Sequence, residues 1–191
     1  MTELDKPFTD NIEISGQGND PEPTYYLIRG EIVGKRTDET QVWSDYLFED
    51  GKWVLDRDSV IMDREIGYDP SEPPGSPYWC GCMDVMDELE EISAAEAMAL
   101  MGEQVVALLT EKWKRDFAAK KDAWNKHPGW PAKLVSTEFT LYGNKYSIRP
   151  EDIGLTDDCW DQGFMETIQS EIKRDLADYG ATDIFNCGFI D

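Results

Sequence analysis

Four carboxylates, Asp56, Asp58, Asp63 and Glu65, fall within the single short stretch DRDSVIMDRE. Hard divalent cations take oxygen ligands of this kind, and paired carboxylates can share acid–base work. The spacing departs from the twelve-residue calcium loop, which needs Gly at its sixth position and Glu at its twelfth. Arg57 and Arg64 also lie inside the cluster, where they can neutralise it. The stretch therefore reads first as a charged hairpin edge. Its second reading is a divalent-metal site built from Asp56, Asp58, Asp63 and Glu65.

Other chemistry-bearing residues are sparse. His127 is the one histidine and sits in a His-Pro-Gly turn, so any His-based dyad would have to use it. It reads as an exposed turn residue. Cys80 and Cys82 are separated by one residue, which is tight for two ligands of one zinc ion, and no second pair stands at recognisable spacing. Cys159 and Cys187 fall on predicted core faces, and four cysteines are too few for a disulfide scaffold. The motifs GxxxxGKS/T, GxGxxG and GxSxG are missing, which leaves the familiar nucleotide-binding and hydrolase chemistries unsupported. No catalytic residue and no cofactor is assigned.

The element with the clearest signals runs from Ser93 to Lys126. Ser93 and Glu96 have the spacing of a reciprocal cap, so a helix is predicted from Ala94. Met98, Met101, Val105, Leu109, Trp113, Phe117 and Trp124 recur at steps of three, four or seven and share one face. His127-Pro128-Gly129 ends the helix, because Pro lacks a donor and disfavours helix in the residue before it. Gly102 is the expected place for a kink or break.

Before this helix, 25–34 reads as one strand with a bulge at Gly30, and 41–48 as a second. Asp50-Gly51 predicts a tight turn that pairs Trp53, Val54 and Leu55 with Tyr46, Leu47 and Phe48. Val60-Ile61-Met62 is expected to extend this meander. A Pro-rich connector over 69–78 follows, then an acidic strand over 85–92. After the helix, Tyr142-Gly143-Asn144 predicts the turn of a second hairpin, 135–141 with 145–149. Trp160, Phe164, Ile168, Ile172, Leu176 and Tyr179 mark a helix over 158–179 that stops at Gly180. Phe185, Cys187 and Phe189 would share one face of a terminal strand.

The resulting fold class is α+β: an antiparallel β-meander and hairpins packed against one long helix and one shorter C-terminal helix. Residues 1–23 are expected to form a mobile N-terminal arm. Residues 24–191 are expected to form a single composite domain, with 128 as the place where a division would fall.

The formal net charge is −22. Residues 1–92 hold 23 acids and 7 bases, whereas residues 93–130 hold 5 and 6. Such a field repels nucleic acid and anionic membranes and attracts basic partners, although acidity also serves solubility alone. The basic run Lys112, Lys114, Arg115, Lys120, Lys121 and Lys126 is interrupted by Glu111, Asp116 and Asp122, so it reads as the solvated face of the helix. No direct nucleic-acid binding is expected. The N-terminus lacks the apolar core of a signal peptide and no apolar run reaches spanning length, so a cytoplasmic location without membrane contact is expected.

The leading functional expectation is a non-enzymatic acidic binding protein that engages a basic protein partner. Its sharpest form is a DNA mimic, whose carboxylates occupy a protein groove built for phosphates. The alternative from another class is a divalent-metal-dependent enzyme using the Asp56 to Glu65 carboxylates.

Overall fold

A computed structural model describes residues 22–39, 42–67, 71, 83–124, 131–132, 136–155 and 160–186. Nearly all of the expected N-terminal arm lies outside these residues. So do the 69–78 connector apart from Ser71, Cys80 and Cys82, the His127 turn, Cys159, Cys187 and Phe189.

The elements in order are β1 (Thr24–Ile28), β2 (Ile32–Glu39), β3 (Val42–Glu49), β4 (Lys52–Leu55), α1 (Val60–Glu65), α2 (Met83–Met86), β5 (Leu89–Ile92) and α3 (Ala94–Trp124). They continue with β6 (Pro131–Ala132), β7 (Thr137–Leu141), β8 (Asn144–Ile148), a 3-10 turn at Pro150–Ile153, β9 (Trp160–Asp161), α4 (Gln162–Asp178) and β10 (Thr182–Asn186). The strands form a five-stranded sheet, β4-β3-β2-β1-β5, a three-stranded sheet, β10-β7-β8, and the pair β6-β9. Every pairing among the described residues is antiparallel. The protein is thus α+β, with antiparallel sheets packed against one long and one shorter helix.

The span expected as one strand over 25–34 is a hairpin. Arg29 and Gly30 take φ of 53° and 70°, which reverses the chain so that Ile28 faces Ile32. The Asp50-Gly51 turn forms as expected, with Leu47 opposite Val54 and Phe48 opposite Trp53. Gly51 is needed twice there: its φ is +79°, and a Cβ would collide with the Tyr179 ring.

Val60, Ile61 and Met62 do not extend the sheet. They open α1, which turns back across one sheet face and seats Ile61 among Tyr26, Ile28 and Leu47. The acidic span over 85–92 is divided, Val85 and Met86 belonging to α2 and only Leu89–Ile92 to a strand. Helix α3 starts at Ala94 as the cap predicts: the Ser93 backbone N–H donates to Glu96, and the Glu96 N–H donates to the Ser93 hydroxyl at 3.2 Å. It runs unbroken through Gly102. The glycine is there because a Cβ would enter the Tyr146 ring, whose hydroxyl donates to the Ala99 carbonyl at 3.2 Å.

Met101, Val105, Leu109, Trp113 and Phe117 are buried along α3, and Phe164, Ile168, Ile172 and Leu176 along α4. Full burial of such side chains stabilises by about 2 kcal/mol each before entropy is counted. Trp160 stands in β9, outside the helix expected to include it. Val33 and Phe48 from the larger sheet share one core with Phe139, Leu141 and Ile148 from the smaller one, and α3 lies between their contributions in sequence. No helix among the described residues is long and apolar enough to cross a membrane.

Candidate functional site

The stretch from Asp56 to Glu65 is arranged by the end of β4 and the start of α1. The Asp56 backbone N–H donates to the Asp45 carbonyl at 2.8 Å, which closes the β3–β4 edge. Its carboxylate then accepts the N–H groups of Val60 and Ile61, each at 3.0 Å. Those donors would otherwise be left over at the first turn of α1. Asp56 therefore acts as a helix cap from four residues upstream, while Ser59, at φ 56°, makes no side-chain cap bond.

The other three acids have different surroundings. Glu65 accepts from Arg36 Nη1 at 2.9 Å. Asp58 is exposed in the turn before α1. Asp63 is held above the usual carboxylate range, chiefly by burial and then by the nearby Asp56 charge. Arg64 turns away, donating to Glu88 at 3.1 Å and to the Val60 carbonyl at 3.0 Å. Among the described residues no group of three or more His, Cys, Asp or Glu is placed to hold a metal ion. The four carboxylates expected as ligands have separate surroundings: Asp56 caps α1 from before it, Asp58 is exposed in the preceding turn, Asp63 is half-buried near Asp56, and Glu65 pairs with Arg36.

Arg36 is the centre of this face, and sequence reasoning missed it. It stands opposite Asp45 in the β2–β3 register and donates to both carboxylate oxygens, at 2.7 and 2.8 Å. Its guanidinium lies over the rings of Tyr26 and Trp43, 5.7 and 5.2 Å from their centroids. The Asp45 hydrogen bond is the main cause that raises its pKa still further, so it stays charged at any working pH. A bidentate pair across neighbouring strands is a signal that the sequence offers only once the hairpin register is known.

The basic run on α3 is largely engaged with carboxylates. Lys112 donates to Asp175 of α4 at 2.5 Å, and Lys120 pairs with Glu171. Lys114 pairs with Glu111 and Arg115 with Asp116. Trp113 Nε1 also donates to Asp175, at 2.9 Å, so a buried carboxylate fastens α3 to α4. Phe185 is exposed, contrary to its expected core position. The register of β10 shifts between Thr182 and Phe185, with Asp183 at φ 50°, and this bulge turns the ring to the solvent face opposite Glu138. It lines a shallow groove with Glu138, Thr140, Lys145 and Ser147 that contains neither His nor Cys.

No protein-family model, no curated protein and no solved structure matches this chain.

Proposed function

We propose that this protein is a non-enzymatic binding protein whose acidic surface engages a basic protein partner. The observation that carries the reading is the opposite treatment of the two charge signs beside α1. The side chains of Arg36 and Arg64 are only 10% and 14% exposed, whereas those of their partners Glu65 and Glu88 are 46% and 30% exposed. These two guanidiniums are drawn beneath the surface while their partner carboxylates stay more exposed; Arg29, the other partner of Glu88, remains at the surface. In a chain of net charge −22, such a surface raises the local concentration of cationic groups and speeds their encounter.

The test is capture of partners by the tagged protein from a nuclease-treated bacterial lysate at low salt, followed by a high-salt wash. A basic protein retained at low salt and released at high salt is the expected result, because exposed charges are screened over about 8 Å at physiological ionic strength. Displacement of that protein by duplex DNA would narrow the reading to imitation of nucleic acid. Retention unchanged at high salt would refute an electrostatic mode.

A further inference from the structure

Five of the large apolar side chains left exposed lie around one short helix. Trp43, at 60%, and Ile66, at 59%, are the most exposed of them, joined by Val54, Met62 and Met86. Met62 and Ile66 are one turn apart at α1 and its C-terminal cap. Trp43 carries the Arg36 guanidinium on its ring, and Arg36 bonds Glu65, the residue before Ile66. Met86 ends α2 two residues before Glu88, which holds Arg64 of α1. Val54 stands opposite Leu47, which packs with Ile61 under the helix. Isolated apolar residues on a surface are ordinary, but a group gathered about one element marks an interaction site.

The rim of this group is acidic. Glu65 is exposed on α1, Asp63 is half-buried beside it, Glu88 is bonded to Arg64 of α1, and Glu91 stands opposite Tyr26 on the same sheet face. Of the bases nearby, Arg36 and Arg64 are withdrawn, Arg29 is bonded to Glu88, and Arg57 is exposed. A second copy of the chain would bring like rims and two bodies of charge −22 together. A purely charged partner would leave the apolar group uncovered. We infer that the α1 face is a docking surface for a basic amphipathic segment, whose apolar side chains cover Trp43, Met62, Ile66 and Met86 while its Lys or Arg side chains meet the acidic rim. The two methionines suit this role, since an unbranched, polarisable side chain adapts to whatever anchors it. This inference rests on the reading of the protein as a binder of basic partners.

The test uses synthetic peptides of about 14 residues, roughly four helical turns. The first places leucines at helical spacing among lysines, the second replaces those leucines with serine, and the third replaces the lysines with glutamate. Calorimetric titration of the full chain should show the leucine–lysine peptide binding about tenfold or more tightly than the serine–lysine one, a gain of about 1.4 kcal/mol, with no binding of the glutamate peptide. The double variant Met62→Glu and Ile66→Glu should lose that gain, whereas Leu108→Glu on α3 should keep it.

Because the added carboxylates strengthen any charge-only attraction, equal or tighter binding by the double variant would overturn the inference. Equal binding of the leucine and serine peptides to the unmodified chain would do so as well, without recourse to a variant. In both of those outcomes the general binding of basic partners would still stand. Failure of both lysine peptides to bind would overturn that reading along with the docking surface. A sedimenting dimer that the double variant abolishes would assign the face to a second copy and refute the basic segment.

Discussion

The Asp175 carboxylate lies buried between α3 and α4, where it accepts from Lys112, Trp113 and Arg174. Burial alone would raise its pKa, but these three donors outweigh that and hold it below the usual range. A depressed folded-state value means that its contribution is complete above the unfolded carboxylate value of about 3.9. It is lost as pH falls through the lower folded value. Replacing Asp175 with Ala strands the buried Trp113 N–H, so a loss of about 2 kcal/mol in urea unfolding at pH 7 is expected. The variant should also show a shallower acid limb than the unmodified chain. An undiminished midpoint in urea would mean that water or another acceptor replaces the carboxylate.

At the scale of elements, α3 and the β7–β8 hairpin meet at one close approach. Exchanging Gly for Ala inside a helix ordinarily gains about 1 kcal/mol. At Gly102 the sign should reverse, because the new Cβ would overlap the Tyr146 side chain. The expected outcome for Gly102→Ala is a loss of about 1–3 kcal/mol, the usual cost of overpacking. In a Tyr146→Ala background the same exchange should become neutral or stabilising, and the difference between the two backgrounds measures the contact. A higher melting temperature for Gly102→Ala alone would show that Tyr146 yields without cost.

For the whole molecule, 40 acids against 18 bases make repulsion a standing cost of compactness. The pairs Arg36–Asp45 and Lys112–Asp175 are sheltered from salt by partial burial, whereas the exposed carboxylates are not. Modest sodium chloride should therefore raise the melting temperature of the free protein. The same salt should weaken capture of its partner, so stability and binding move in opposite directions. A melting temperature that falls with salt would show that ion pairs outweigh repulsion.

Local rules acting within a few residues were readable from the chain itself. The Ser93–Glu96 cap, the Asp50-Gly51 and Tyr142-Gly143 turns, the stripes of α3 and α4 and the stop at Gly180 each depend on neighbours in sequence. Long-range choices were not readable. Val60-Ile61-Met62 has the side chains of a strand, yet Asp56 caps it and the pocket among Tyr26, Ile28 and Leu47 receives Ile61, so it coils. Gly102 signals a break by propensity, yet α3 runs through it, and the missing Cβ leaves room for the Tyr146 side chain. The carboxylates of Asp56, Asp58, Asp63 and Glu65 are near one another along the chain, but the turn into α1 and the helix itself give them different surroundings, Asp56 as its cap and Glu65 as the partner of Arg36. Composition alone determined that this protein is acidic. Which carboxylates face solvent, and which bases are folded beneath them, was decided by strand register and by where α1 lies on the sheet, because both depend on contacts between residues distant in sequence.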